Sequence, residues 1–447
     1  MSPAPATTPA SAGVLLPEAA LRQFLARQLP GSGVHTLVVA LSGGLDSRVL
    51  LHALARVAPA FGVAVRALHV HHGLSPNADA WAARAQDVCA AEGVACALQR
   101  VTVAPGASRE NAAREARQGA FRAALAPGEA LLLAQHRDDQ AETVLFRLLR
   151  GAGLAGLGGM RASSRQRRAD GGAAPRWRPF LDLPRAALAT YAAARGLAWV
   201  DDESNADTSL DRNFLRHEIL PRLLARWPAV ARTLADTALR LQEAEDLLQA
   251  LAEELAADAI DSRGRLRVDA VRALPPPRQR LLLRHWLQRR GFRAPDAAVL
   301  ERLRVDALTP RADAAPRVAW PDGEVRRYRG HLYALVPLPA PPGDWSVSWD
   351  GAAPLVLPDG RRLELEGEKA PPFPWRVRFR AGGERLRATP GAPSRELRTW
   401  LQEQGVPPWE RERLPLVLAG DTLIAVGDLD WPAPRPWRLR LRAPAAP

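Results

Sequence analysis

The sequence of 447 residues has few cysteines, a single lysine and no long hydrophobic run. Cys89 and Cys96 are its two cysteines, which excludes a disulfide framework or a four-cysteine metal site and fits a reducing compartment. No apolar stretch reaches about 18 residues, so we expect no membrane span and no membrane partner. Residues 1–13 lack the basic and apolar regions of a signal peptide. We expect them to form a disordered tail on a cytoplasmic protein.

The second imbalance is an excess of positive charge. The formal net charge is +13, and Lys369 is the only lysine among the 61 lysines and arginines. Heavy use of Ala, Arg and Pro is typical of a GC-rich genome, which explains the choice of Arg over Lys but not the excess of base over acid. The charge therefore predicts a polyanionic partner, most simply a nucleic acid.

The N-terminal part of the chain alternates predicted strands with predicted helices. Four βα units in series predict a doubly wound parallel sheet with helices on both faces. The predicted strands cover residues 34–41, 64–70, 96–102 and 130–134, and the helices that follow them cover 46–57, 79–92, 109–124 and 139–149. After residue 150, a Gly- and Arg-rich stretch from 151 to 177 without periodicity predicts an extended, mobile loop.

A glycine-rich turn joins the first predicted strand to its helix, with the sequence Ser42-Gly43-Gly44-Leu45-Asp46-Ser47. Backbone N–H groups of such a turn can wrap a phosphate, and the helix N-terminus adds its partial positive charge. The serine hydroxyls can bond phosphate oxygens, and Asp46 can hold a magnesium ion. The pattern resembles the pyrophosphate loop of the ATP pyrophosphatases. The alternative is a plain strand-to-helix turn with a Ser or Asp cap.

A histidine and two carboxylates follow the fourth predicted strand, at His136, Asp138 and Asp139. Because ligands of parallel sheets bind at the carboxyl ends of the strands, we expect these side chains to face the glycine-rich turn. Adjacent carboxylates there can share a magnesium ion or bind an ammonium group. The local alternative is that Asp139 caps the helix and Glu142 completes a capping box.

Two arginine-rich zones with interleaved tryptophans suit single-stranded RNA and its phosphate backbone. The first zone is residues 161–178, and the second is residues 376–398, which begins with Arg376, Arg378 and Arg380. Alternate residues of a strand share a face, so these three arginines are expected to meet one surface of the RNA. The alternative for either zone is a solvated surface.

Several motifs occur in an order that resembles the tRNA(Ile)-lysidine synthetase family. The resemblance extends from about residue 30 to about residue 430. Its motifs are Leu41–Ser47, His69–Leu74, His136–Thr143, Arg150–Leu154, Asp202–Asn205, Arg212–Arg216 and Gly405–Trp409.

This resemblance implies a catalytic domain of the PP-loop (adenine nucleotide α-hydrolase-like) class, a helical middle domain and a small α+β C-terminal domain. We place the catalytic domain at residues 14–215 and a tRNA-binding middle domain at 216–337. A Pro-rich connector with a hairpin covers 338–374, and a tRNA-binding C-terminal domain covers 375–440.

The resemblance also implies roles for individual residues. The turn Ser42–Ser47 would bind ATP, Asp46 and Asp139 would hold Mg²⁺, and His136 would act at the target base. Either Asp138 or Asp139 would hold lysine, and the two roles stay open. Further substrate-binding residues would be Glu142, Arg114, Arg117, Arg212, Asn213, Arg376, Arg378 and Arg380. Gln118 stands where an aromatic residue is common in the family.

The implied reaction has two steps and uses ATP and Mg²⁺. ATP adenylates the C2 carbonyl oxygen of the wobble cytidine in a CAU-anticodon isoleucine tRNA, and L-lysine then replaces AMP. One alternative is another PP-loop tRNA-modifying enzyme such as a thiolase, which would need a reactive cysteine. The other is a non-catalytic RNA-binding protein with a vestigial loop. Monomer and homodimer are both left open.

Overall fold

The computed structural model describes residues 16–73, 75–103, 109–200, 207–293, 295–308, 316–337, 341–367, 374–389 and 391–442. The expected tail at 1–13 and the motif at 202–205 lie outside these residues. The chain forms two compact units, residues 1–247 and 248–447. No helix in the described ranges has the length and apolarity that crossing a membrane requires.

A six-stranded sheet organises the first unit, in the order β3-β2-β1-β4-β6-β5. Neighbouring strands are parallel except for β5, which pairs antiparallel with β6 at the edge. The strands are β1 Thr36–Ala40, β2 Ala64–His71, β3 Ala95–Arg100, β4 Glu129–Leu132, β5 Ser163–Arg167 and β6 Ala173–Trp177.

Helices cover both faces of this sheet. The helices described up to residue 259 are α1 Leu16–Gln28, α2 Leu45–Val57, α3 Ala78–Ala91, α4 Arg109–Ala124, α5 Arg137–Leu149, α6 Leu154–Leu157, α7 Arg185–Ala194, α8 Asp211–Phe214, α9 Leu220–Arg226 and α10 Val230–Ala259, of which α1, α2, α3, α4 and α7 share cores with the sheet. A 3₁₀ turn at Ala58–Phe61 follows α2, and a π-helical turn at Leu215–Ile219 links α8 to α9.

Alternation along the central strand explains the two layers. Leu37 and Val39 of β1 are buried with Leu21 and other residues of α1, α2 and α7 on one face. Val38 is buried on the other face with Phe121 of α4. Because successive side chains of a strand point to opposite faces, a wholly apolar central strand needs a helical layer on each side. The predicted doubly wound parallel sheet is confirmed.

The prediction of a mobile loop over residues 151–177 is wrong. This segment forms α6 and the β5–β6 hairpin, with Gly171 in the left-handed region at φ +83°. Strand β6 pairs with β4 through Leu131 and Arg176, and its Trp177 is buried. Pairing with the edge of the sheet therefore orders this segment, although its local sequence does not predict a strand.

The second unit begins with a helical layer against a four-stranded antiparallel sheet. Its helices are α11 Val268–Arg272, α12 Pro276–Arg289 and α13 Ala297–Arg302, followed by a π-helical turn at Leu303–Ala307. The strands are β7 Leu266–Arg267, β8 Arg317–Trp320, β9 Gly323–Tyr328 and β10 His331–Leu335, in the order β7-β10-β9-β8. Trp286 of α12 is buried in the core that these elements share.

The rest of the second unit is rich in short strands. These are β11 Ser346–Trp349, β12 Leu355–Val356, β13 Arg362–Gly367, β14 Trp375–Arg378, β15 Arg385–Leu386, β16 Arg395–Glu396, β17 Leu416–Ala419, β18 Thr422–Val426 and β19 Trp437–Arg442, with helices α14 Leu397–Glu403 and α15 Pro408–Arg411. The expected hairpin in residues 338–374 is formed by β12 and β13. Strand β11 also pairs with β14, and β13 with β19, so this segment contributes strands to the C-terminal sheets.

Candidate active site

The glycine-rich turn closes on itself through its two serines. Ser47 Oγ donates to the carbonyl oxygen of Gly44 at 3.0 Å and lies 3.0 Å from Ser42 Oγ, while the Ser42 N–H donates to Ser47 Oγ at 3.2 Å. Gly43 has φ +90°, a conformation that favours glycine. Gly44 precedes α2 and has no side chain to cap it. The first turn of α2 can therefore direct its N–H groups to an anion.

Asp46 lies in the first turn of α2 and points toward the end of β4. Its Oδ2 is 3.6 Å from Nε2 of His136, and its Oδ1 is 4.0 Å from Nε of Arg185. Asp46 Oδ1 is buried and has no hydrogen-bond partner among the described residues. A buried carboxylate oxygen without a donor fits a cation as its partner.

His136 is the N-cap of α5 and is 1% exposed. The Asp139 N–H donates to His136 Nδ1 at 3.4 Å, and the His136 N–H donates to Asp139 Oδ2 at 3.1 Å. The helix thus begins at Arg137, not at Asp139 as predicted, and the local alternative of a cap at Asp139 with Glu142 as its partner is not observed. A capping box is present, but Asp139 is its third helical residue.

Three carboxylates surround the His136 ring. Nε2 lies 3.5 Å from Asp139 Oδ2 in addition to its contact with Asp46, and Nδ1 lies 3.6 Å from Asp138 Oδ2. Burial acts to lower the pKa of His136, but the hydrogen bond with Asp46 and the charges of Asp139, Asp46 and Asp138 outweigh it. The pKa of His136 is therefore raised above its ordinary value, which favours the imidazolium form.

The two adjacent aspartates have different partners. Asp138 Oδ2 accepts the backbone N–H of Arg185 at 2.8 Å, which ties the start of α7 to this site. Asp139 Oδ1 accepts Nη2 of Arg216 at 2.8 Å. Asp138 is thus paired with a neutral backbone donor, whereas Asp139 is paired with a cation.

Glu142 is held by two arginines and its side chain is 2% exposed. Nε of Arg216 lies 2.5 Å from its Oε1, and Nε of Arg212 lies 3.2 Å from its Oε2. In Arg216, burial acts to lower the pKa, but the hydrogen bond and charge of Glu142 outweigh it and raise the pKa. The sequence analysis gave no role to Arg216. Arg212 and Arg216 are four residues apart, which puts them on one helical face. This spacing could have predicted that Arg216 contacts the same group as Arg212.

The remaining predicted substrate-binding residues lie in three places. Arg114 and Arg117 are exposed on α4, and Asn213 Nδ2 donates to the carbonyl oxygen of Asp207 at 2.9 Å. The arginines of the second zone belong to the second unit.

In that second unit, Arg376 pairs with Asp421 at 3.3 Å. Arg378 and Arg380 both pair with Glu384, at 2.9 and 3.5 Å. Burial acts to raise the pKa of Glu384, but backbone hydrogen bonds and Arg378 outweigh it and lower the pKa to about 2. All three arginines therefore have a carboxylate partner, but the partner of Arg376 is fully exposed, whereas Glu384 is buried.

His69 supports the turn from the neighbouring strand. It is buried, and its Nδ1 lies 2.8 Å from the carbonyl oxygen of Leu41, directly before the turn. Burial lowers the pKa of His69, which keeps the ring neutral. His69 thus acts as a positioning residue for the turn.

The donors at this site suit magnesium better than a metal with an all-protein ligand cage. Among the described residues there is no group of three or more His, Cys, Asp or Glu side chains arranged to hold a metal. Mg²⁺ commonly uses one or two carboxylates together with water and substrate phosphates. Asp46, with its unpartnered Oδ1, fits that pattern beside the turn. Asp139, the other predicted ligand, already accepts hydrogen bonds from Arg216 and from the His136 N–H.

A parallel sheet with a phosphate-binding turn and carboxylates at its strand ends defines a PP-loop ATP-binding enzyme. Family models match the chain as a PP-loop domain at residues 17–223, a TilS substrate binding domain at 266–333 and a TilS substrate C-terminal domain at 375–433.

Proteins named tRNA(Ile)-lysidine synthase are similar to the chain over most of its length. The relative from Methylococcus capsulatus is 43% identical over 423 residues, covering 92% of this chain and 94% of that protein. The relative from Pseudomonas aeruginosa is 45% identical over 435 residues, covering 91% and 93%. The chain belongs to the tRNA(Ile)-lysidine synthase family.

Proposed function

We propose that this protein uses ATP to attach L-lysine to C2 of the wobble cytidine in isoleucine tRNA with a CAU anticodon. The family assignment makes it an ATP-using ligase. The observation that carries the proposal is the position of buried His136, which lies within 3.6 Å of Asp46, Asp138 and Asp139 at the strand ends beside the turn. A cytoplasmic location stays a prediction, and monomer and homodimer stay open.

ATP would lie with its phosphates on the turn Ser42–Ser47. The N–H groups of the first turn of α2 and the two serine hydroxyls are the donors that phosphate oxygens need. Asp46 and Asp139 would hold Mg²⁺, which when bound offsets negative charge on the phosphates.

His136 would act at the target base as a proton donor through Nε2, because its Nδ1 accepts the N–H of Asp139. Its raised pKa keeps a proton on the ring, and that proton can be donated to an oxygen of the adenylated cytidine or its leaving group. The C2 oxygen attacks the α-phosphorus of ATP and pyrophosphate leaves. Lysine then attacks C2 through its neutral amine, and AMP leaves with the oxygen.

The lysine amine must lose a proton before it attacks, and a carboxylate near His136 is the available acceptor. Asp138 and Asp139 are the two candidates. Among the described residues, Asp138 accepts a hydrogen bond from a backbone N–H and from no arginine, whereas Asp139 accepts one from Arg216. Glu142 and Arg212 complete the charge pattern that would receive the amino acid, and Asn213 is proposed beside them.

Arginines would supply the contacts to the tRNA backbone. Arg114 and Arg117 are proposed in the first unit, and Arg376, Arg378 and Arg380 in the second. Arg376 pairs with the fully exposed Asp421, whereas Arg378 and Arg380 pair with the buried Glu384. Because an exposed ion pair is weak, Arg376→Gln should weaken the salt dependence of tRNA binding more than Arg380→Gln. Equal slopes for the two variants would contradict this ranking.

The cysteines disfavour the thiolase alternative. Cys89 is buried in the main core of the first unit. The pairing of its thiol with Cys96 and burial raise the pKa of Cys89, and the same pairing lowers the pKa of Cys96, which is half-buried. A persulfide carrier needs a thiol that is accessible and that ionises readily. The thiol of Cys89 meets neither requirement. We expect a variant with serine at both positions to keep its activity.

The direct test is transfer of labelled lysine. The purified protein is incubated with ATP, Mg²⁺, labelled lysine and a CAU-anticodon isoleucine tRNA, and methionine tRNA, which shares the CAU anticodon, is the matched control. We expect label in the isoleucine tRNA only when ATP is present. Label that stays free, or that enters both tRNAs equally, would contradict the proposal.

A further inference from the structure

Within the described ranges, three arginines beside the candidate active site are bonded to neutral oxygens and to no carboxylate. Arg147 Nη1 donates to the carbonyl oxygens of Gly156 and Gly159 at 2.8 and 2.9 Å. Arg176 donates to Ser164 Oγ at 3.1 Å and to Gln166 Oε1 at 3.3 Å.

Arg178 is the most buried of the three. It donates to Gln135 Oε1, to the carbonyl oxygen of Arg161 at 2.8 Å and to Ser164 Oγ at 3.2 Å. With the exposed Arg114 of α4, these residues form what we call the arginine cluster: Arg114, Arg147, Arg176 and Arg178.

The arginine cluster contrasts with other arginines of the first unit in its lack of a carboxylate partner among the described residues. Within the described part of the chain, none of its four members forms an ion pair. Other partly buried arginines of this unit do, as in the pairs of Arg48 with Glu92 and Arg66 with Glu129. The neighbouring Arg161 also has one, since it pairs with Asp246 at 2.6 Å.

The members of the cluster repel one another. Burial lowers the pKa of Arg147 and of Arg176, and the charge of Arg114 lowers both further. Burial, then the charges of Arg176, Arg114 and Arg147, lower the pKa of Arg178 to about 10. Buried charges in proteins are normally paired, so the cluster is suited to an anionic partner.

The position of the cluster indicates which anion it meets. Gln135, which accepts from Arg178, directly precedes His136, and the charge of Arg212 also acts on Arg147. The cluster is thus continuous with the site of His136 and Glu142. Its members come from α4, α5, β6 and the residue directly after β6, and none comes from the turn Ser42–Ser47. The guanidinium group of an arginine can donate two hydrogen bonds to the oxygens of one phosphate. A single RNA strand could therefore place a phosphate at the arginine cluster and a base at His136.

We propose that the arginine cluster binds a backbone phosphodiester of the RNA next to the nucleotide that reacts at His136. This inference rests on the proposed function for the identity of the RNA. The cluster would hold the strand by its backbone, independent of base sequence, and so fix the reactive base against the catalytic carboxylates.

The test uses Arg114→Gln and Arg176→Gln, with Arg27→Gln as the matched control. Arg27 is an exposed arginine of α1, which covers the opposite face of the sheet from α4. Binding of CAU-anticodon isoleucine tRNA is measured from low to moderate salt, and ATP binding is measured without RNA. Arg176→Lys keeps the charge and separates charge from packing.

We expect each Gln variant to reduce the slope of log K against log salt by about 0.7, the value for one phosphate contact on a single strand. Arg27→Gln and Arg176→Lys should leave the slope close to that of the wild type, and ATP affinity should not change. Arg114→Gln should not lower the melting temperature at low salt, because it removes repulsion.

Other results would overturn the inference. Unchanged slopes in folded Gln variants would show that no phosphate binds there, and an equal loss in Arg27→Gln would show a general charge effect. Weaker ATP binding would assign the cluster to the triphosphate. Lysine transfer by the wild-type protein is measured in parallel, so a failure of the proposed function is distinguished from a failure of this site.

Discussion

Replacing Glu142 by Gln is expected to loosen the helix pair at the candidate active site. Gln keeps the shape of the side chain but leaves Arg212 and Arg216 with a neutral acceptor. Removing one partner of a buried ion pair costs about 3–5 kcal/mol, whereas exposed pairs contribute about 0.2–1 kcal/mol. Glu142 is 2% exposed, but Arg212 and Arg216 are 32% and 34% exposed. We therefore expect a loss of about 2 kcal/mol.

Hydrogen exchange of peptides from α5 and the turn Leu215–Ile219 measures this loss locally. A cost of about 2 kcal/mol corresponds to roughly 30-fold faster exchange where opening is limited by local stability. The matched control is Glu218→Gln, which removes an exposed pair with Arg222 in the same turn. Its effect should stay near twofold. If Glu142→Gln changes exchange no more than Glu218→Gln does, the carboxylate does not hold the two arginines.

Three further predictions concern the carboxylates around His136. The pKa of His136 is raised in the folded state, so the protonated ring stabilises the fold. This stabilisation is complete below a pH of about 6.5 and is lost as the pH rises through the raised pKa. An NMR titration that places the pKa of His136 below about 6.5 would contradict this prediction. Asp46→Ala should abolish pyrophosphate release with an unchanged circular dichroism spectrum, and normal release would remove Asp46 from the mechanism. Asp138→Asn and Asp139→Asn should separate, one needing far more lysine and the other failing at adenylation; equal losses in both steps would show that they act as one unit.

Hydrophobic pattern made the parallel sheet predictable. The run Thr36–Ala40 is short, apolar and β-branched, and helical periodicity follows it. The β5–β6 hairpin was not predictable in the same way. Its first strand, Ser163–Arg167, has no β-branched residue, and it is ordered by pairing with a strand that is itself fixed by β4. Tertiary pairing overrode local propensity there.

The sequence predicted which residues form the candidate site, but not which hydrogen bonds and ion pairs they form. Strand ends and the glycine-rich turn placed Asp46 near His136 before any contact was known. Histidine is not among the preferred N-cap residues, so the start of α5 was placed too late. The bond between Glu142 and Arg216 joins residues far apart in the chain, and no local pattern gives such a pair.

The most direct measurement of the central claim is mass spectrometry of the wobble nucleoside. Isoleucine tRNA with a CAU anticodon is incubated with the protein, ATP, Mg²⁺ and lysine, and then digested to nucleosides. The account predicts a nucleoside with the mass of cytidine plus lysine minus water, formed only when ATP and lysine are both present. Unmodified cytidine, or a sulfur-containing nucleoside, from a folded protein that binds ATP would contradict it.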